Sequence, residues 1–396
     1  MKTSRYSSSR QKSCDRCSSS KAKCDRRTPC KRCAKRGLPC VYTIPPSDPR
    51  KRPDEHLLHG RVAEETDRVH HRPSECSERG RVSIAFETND ARETSLTLDQ
   101  LELICPIDVE DISNRWLRPY IPGPDQVIKA YPAVVANYIW RILNSYAASA
   151  CRGRGTLPFT HAALLASQAP NLPMATCLSL IRIAENPLSG TESVAAHVLQ
   201  REMESIVSAR ESFDEVALLS AYQAYLVYTL VLFFQLKQGT SAFFRQAMMH
   251  LQELACMTCR QGLVCTAERL HLRPTWEEWI VAESKRRTLY IMYLLDSVLS
   301  AQESLPTFLA TELRGLPAPS SKLLWHARTR SQWEKEYNLF LTEWTSSFFA
   351  IDELWPIPGG ASEADITIRK DRTNRWLENL DEYGVMFFAV TSYTHG

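Results

Sequence analysis

Six cysteines between positions 14 and 40 repeat one spacing twice: Cys14-x2-Cys17-x6-Cys24, five residues, then Cys30-x2-Cys33-x6-Cys40. Almost no apolar side chains separate them, so bound metal rather than a hydrophobic core must supply most of the folding free energy. Thiolate sulfur suits zinc, which takes four ligands in a tetrahedron. Two identical halves imply two ions and eight ligand positions, which six cysteines fill only if two of them bridge. The first cysteine of each half, Cys14 and Cys30, is the natural bridge. Each half is expected to add a short helix after its second cysteine and a loop back to its third. RING and LIM arrangements need eight separate ligands, and no histidine lies within the segment.

Two zinc ions and six thiolates carry a net charge of about −2, and cations surround them: Lys21, Lys23, Arg26, Arg27, Lys31, Arg32, Lys35 and Arg36. The wider balance is as uneven. Residues 1–53 carry a formal charge of +13 and the remainder −10, within a total of +3. A basic head on an acidic body is the footprint of phosphate binding, because its cations release counterions from a polyanion. The expected partner is nucleic acid. A zinc-dependent interaction module without DNA readout is the alternative, and the charge argues against it.

The stretches from Cys14 to Asp25 (with Asp15-Arg16 and Lys21-Ala22-Lys23), from Pro29 to Cys33 (with Lys31-Arg32) and from Gly37 to Tyr42 resemble the fungal binuclear zinc cluster. The resemblance covers residues 14–41. It implies two Zn²⁺ ions bridged by the first and fourth cysteines, in agreement with the ligand count. It also implies a docking mode in which the first helix points its C-terminal end into the major groove of double-stranded DNA and lysines read the guanines of a CGG triplet. By position, Lys21 takes the reading role and Lys23 a phosphate or second base contact, with Arg16, Arg26, Arg27, Lys31 and Arg32 as further DNA contacts. Ser20 breaks the pattern: many relatives carry a basic residue where Ser18, Ser19 and Ser20 stand, so the contacts that flank the CGG triplet differ from the family's.

Organisation along the chain follows composition. Residues 1–13 form a basic arm and residues 42–95 a polar, proline-containing linker whose low hydrophobicity predicts disorder. Within the linker, Pro49-Arg50-Lys51-Arg52-Pro53 fits a nuclear import signal. Leu58, Val62, Glu65 and Val69 step like coiled-coil positions, but Gly60 interrupts them and leaves homodimer and monomer both open. The N-terminus lacks the apolar stretch of a signal peptide, so a reducing compartment is expected, where clustered cysteines bind metal.

Residues 96–396 hold eleven glycines, few for their number, and show apolar residues at helical spacing. They are expected to form a large all-helical regulatory domain, making the whole chain mostly α. Helices are predicted over 132–150, 192–211, 214–236, 242–257, 276–299, 331–351 and 366–380. The clearest opens on Thr275-x-x-Glu278, a capping box, and places Glu283 four residues before Arg287 for an ion pair. The apolar run 224–234 is too short to cross a bilayer and predicts a core helix rather than a membrane span. Residues 96–112 alternate acidic and apolar side chains, as either an activation segment or a first helix would.

Trp276-x2-Trp279-x3-Glu283-x2-Arg286-Arg287-Thr288, with Asp296 beyond, is similar to the hallmark helix of the fungal transcription-factor homology region. Residues 113–396 resemble C-terminal regions of fungal zinc-cluster regulators, many of which accompany secondary-metabolite genes. Together these imply a nuclear RNA polymerase II transcription factor, an activator or a repressor, working with the transcription machinery. Cys256, Cys259 and Cys265, near His250 and His271, read as buried thiols rather than a third zinc site. No phosphate-cradling glycine loop, H-E-x-x-H or G-x-S-x-G occurs in the body, so no enzymatic activity is expected.

Overall fold

A computed structural model describes residues 13–41 except 21, 26 and 28, and residues 96–395 except 97, 99, 114, 120, 122–127, 130–131, 168–171 and 186–191. Contacts divide the chain into two units, residues 1–81 and 82–396. Among the described residues the first unit contains helices α1 (Asp15–Ser19) and α2 (Lys31–Lys35). The basic arm up to residue 12, the linker, its import signal and its heptad positions lie outside the described residues.

The second unit is built from nine longer helices among its described residues: α3 (Ala133–Cys151), α4 (Pro173–Leu180), α5 (Glu192–Ala209), α6 (Glu215–Phe234), α7 (Ala242–Arg260), α8 (Trp276–Gln302), α9 (Arg330–Glu343), α10 (Glu363–Leu377) and α11 (Glu382–His395). Helix α3 starts after Pro132 and buries Val135, Ile139, Leu143 and Ala147, one stripe at four-residue spacing. Asp214 caps α6 by accepting the backbone N–H of Ala217 at 2.8 Å. Helix α6 is apolar all round because α3, α4, α5, α7 and α8 pack about it. By length and composition it could cross a membrane, contrary to the short run read from the sequence. Instead 89% of its apolar window is buried inside the fold.

Helix α8 is the other buried axis. The predicted capping box forms: Thr275 Oγ1 accepts from the N–H of Glu278 at 3.3 Å, and Glu278 Oε2 accepts from the N–H of Thr275 at 2.9 Å. Nearly every residue from Trp276 to Ser300 is buried, including Glu283, Lys285, Arg286, Arg287 and Asp296. Buried charges persist only when paired, and these are. Glu283 meets Arg287 at 2.7 Å and Arg286 at 2.9 Å, Arg287 meets Asp381 at 2.6 Å, and Ser320 donates its backbone N–H to Glu283 at 3.0 Å. The Arg287 guanidinium lies 4.1 Å from the Trp325 ring centre and 4.8 Å from that of Tyr383. The hallmark residues are thus the structural hub of the body.

Residues 96–112 form neither a long helix nor a free segment. Among its described residues the stretch runs as a strap whose strand β1 (Leu103–Ile104) pairs antiparallel with β3 (Val264–Cys265), and helix is limited to Glu110–Ser113. Leu96, Leu98, Leu101 and Leu103 pack against the cluster that holds Trp276 and Trp279, so the alternation marks one face on the body. Gly262, at φ +103°, permits this passage: a Cβ there would stand 2.4 Å from Cβ of Leu103. A second pair joins β2 (Ile128–Lys129) to β4 (Thr307–Phe308). Both are two-residue ladders that leave the body helical.

Candidate metal centre

Each half of the repeat starts its helix one residue after its first cysteine, so the helix contains the second cysteine rather than following it. Cys14 and Cys30 occupy the N-cap positions with extended backbone. The hydrogen bonds repeat at an offset of sixteen residues. Cys14 and Cys30 donate their backbone N–H to the Sγ atoms of Cys24 and Cys40 at 3.5 and 3.2 Å. The N–H groups of Ala22 and Leu38 donate to the carbonyls of Cys17 and Cys33 at 2.9 and 3.0 Å. Beyond the C-cap Arg36 of α2, Gly37 stands at φ +61°, the left-handed conformation that lets Leu38 turn back. The halves are also tied crosswise. The N–H of Asp15 donates to the carbonyl of Val41 at 3.0 Å, and that of Lys31 to Asp25 Oδ1 at 3.0 Å.

Cys14, Cys17, Cys30 and Cys33 are fully buried and Cys24 and Cys40 half-buried, and together they are the packed centre of this unit. Their sulfurs make two groups of four, Cys14, Cys17, Cys24, Cys30 and Cys14, Cys30, Cys33, Cys40, each within 4.8 Å. Cys14 and Cys30 belong to both. Tetrahedral thiolates at a zinc–sulfur distance of about 2.3 Å stand about 3.8 Å apart. Cys14 lies 3.8 Å from Cys30 and 3.8 Å from Cys33, and Cys17 lies 3.7 Å from Cys30. The donor set therefore fits zinc in chemistry and in spacing.

The thiols differ in acidity. The N–H of Cys33 pulls Cys30 down to about 6 against burial. Cys14 is also lowered: burial opposes this, and the hydrogen bonds from Cys17 outweigh it. Burial and the neighbouring thiols push Cys17 up to about 11, opposed by Arg32, and push Cys33 up as well. The two shared sulfurs are thus readier thiolates than Cys17 and Cys33, from which metal must displace protons.

Arg16, Lys23, Arg27, Lys31, Lys35 and Arg36 are exposed around this centre, with Arg27 Nε 3.9 Å from Asp25. Lys21 and Arg26 lie outside the described residues. Arg32 is turned inward: its Nη1 donates to Ser20 Oγ at 2.8 Å and to Cys17 Sγ at 3.7 Å. Ser20 and Asp25 do not stand out in the sequence as residues with a structural role. The signal was their short polar side chains at positions where the chain leaves a helix or a cysteine. In the body, Cys256, Cys259 and Cys265 are buried. No cysteine, histidine or carboxylate group there gathers as a metal site among the described residues.

Residues 12–49 match the fungal Zn(2)-Cys(6) binuclear cluster domain. A transcription factor of Zymoseptoria tritici is 32% identical over 81 residues, a stretch that covers 20% of this chain and 8% of that protein. No solved structure matches the chain. Six cysteines that share two sulfurs between two four-sulfur groups fit this domain, so residues 12–49 carry a fungal Zn(2)-Cys(6) binuclear cluster domain.

Proposed function

We propose that this chain is a nuclear, sequence-specific DNA-binding regulator of RNA polymerase II transcription, whose residues 14–41 hold two zinc ions. The observation that carries this is the pair of four-sulfur groups sharing Cys14 and Cys30 inside a head of charge +13. Cys14, Cys17, Cys24, Cys30, Cys33 and Cys40 are the ligands. The metal supplies the folding free energy that apolar packing cannot. The protein's own part is to orient α1 so that its C-terminal end meets the major groove.

In this account Lys21 reads a guanine of a CGG-type triplet through O6 and N7, and Lys23, Arg16, Arg26, Arg27 and Lys31 hold phosphates. Residues 1–13 and 42–95 add sequence-independent attraction and spacing, and residues 96–396 form the regulatory domain, which acts on the transcription machinery as an activator. The family matches support a transcription factor with a DNA partner, and the excess of cations around the cluster supports phosphate contact.

The test is selection from a random duplex pool by the zinc-loaded full chain, with bound zinc counted in the same sample. Enrichment of CGG-containing sites at two zincs per chain is the expected result, and the spacing of paired triplets separates homodimer from monomer. An unenriched pool would leave a basic zinc module without sequence readout.

A further inference from the structure

Arg32 belongs to the second half of the repeat, yet the hydrogen bonds from its Nη1 reach the first. One goes to Cys17 Sγ at 3.7 Å and the other to Ser20 Oγ at 2.8 Å, one acceptor for each proton on that nitrogen. Ser20 is the C-cap of α1, and its hydroxyl donates to the carbonyl of Arg16 at 2.7 Å. The guanidinium thus spans a sulfur of one four-sulfur group and the last turn of α1. The hydrogen-bond repeat breaks here: sixteen residues earlier stands Arg16, whose side chain is exposed.

We infer that Arg32 is a positioning residue rather than a DNA contact: from the second half of the module it clamps the C-terminal end of α1 to the cysteine cluster and so fixes how the first half meets DNA. This rests on the zinc-cluster reading proposed above. A phosphate contact through Nη1 needs its protons free, whereas both are taken by Ser20 Oγ and Cys17 Sγ. The bond to Cys17 also brings a positive charge to a cluster that carries about −2 with zinc bound, and charge-assisted bonds of this kind are the stronger ones. Ser20 follows from the same geometry. A longer basic side chain at that position lacks the acceptor that receives Arg32.

The experiment uses the zinc-loaded full chain as wild type, Arg32→Ala, Ser20→Ala and the double variant. It reads the rate of zinc transfer to a chromophoric chelator, and binding to CGG and scrambled duplexes over a series of salt concentrations. Each single variant is expected to speed zinc transfer by roughly threefold to tenfold. The double variant should be no faster than Arg32→Ala, because the two changes remove one shared bond. Both singles should narrow the preference for CGG without changing the salt dependence. The inference is overturned if Arg32→Ala leaves zinc transfer unchanged and lowers the salt slope by about one, as loss of a phosphate contact does. Independent, multiplying effects of the two changes, or no effect of either, overturn it too. A wild-type chain that holds no zinc, or that ignores CGG, sinks the proposed function instead and is seen in the same samples.

Discussion

Cys30 contributes its sulfur to both four-sulfur groups, whereas Cys24 contributes to one. Cys24→Ser is therefore expected to keep one zinc per chain, while Cys30→Ser loses both and unfolds residues 14–41. Native mass spectrometry counts the ions, and equal losses from the two variants would show that the sulfur is not shared. Metal retention should also weaken as pH falls, because zinc competes with protons for thiols that burial pushes up, Cys17 to about 11 among them. At the DNA contact, Lys21→Ala should cost about 1 to 3 kcal/mol of specific binding, the usual worth of one good base contact. Titrating CGG and scrambled duplexes checks it, and an unchanged ratio would remove Lys21 from the reading role. At this scale the six cysteines were legible from spacing alone. The inward turn of Arg32 was not, since its partners Cys17 and Ser20 come from the other half and meet it only once the halves associate.

Helix α8 turns an ion-pair network inward. Glu283 faces Arg286 and Arg287 with none of the three exposed beyond 1%, so Glu283→Gln leaves two buried cations short of a carboxylate. A loss of about 3 to 5 kcal/mol is expected, read by urea unfolding followed through near-ultraviolet circular dichroism. A loss below about 1 kcal/mol would mean the network is hydrated.

His161 makes a second element-scale test. Burial against the edges of Trp325 and Trp276 pushes it down to about 4, and its Nδ1 accepts from the N–H of Ala163 at 3.2 Å. The unfolded chain therefore binds this proton at higher pH than the folded one. Stability is complete above about 6.5 and falls as pH drops toward 4, by about 3 kcal/mol in all. His161→Asn should flatten that slope in pH-dependent melts, and an unaltered slope would place the titrating group elsewhere.

The capping box of α8 and its Glu283–Arg287 pair were legible because both are local. The strap over 96–112 was not, because its course depends on Gly262, far along the chain, letting Leu103 pass. The helix expected over 331–351 stops at Glu343, where Trp344 leaves helical geometry and packs near Phe349. Helix α11 escaped notice because apolar residues occupy all its faces and show no periodicity.

At the scale of the whole molecule, charge and composition divide the labour. The basic head supplies non-specific attraction that should fall steeply with salt, each neutralised phosphate adding about 0.9 to the slope of log affinity against log salt. The acidic, helical body carries no such surplus of cations. The most direct measurement of the central claim is binding of the full chain to a CGG duplex and to its scrambled counterpart, with zinc present, removed by chelation and restored. The account predicts two zincs per chain, a clear preference for CGG, loss of that preference on chelation and its return with zinc. Equal affinity for the two duplexes at full zinc occupancy, or a preference that survives metal removal, would contradict it.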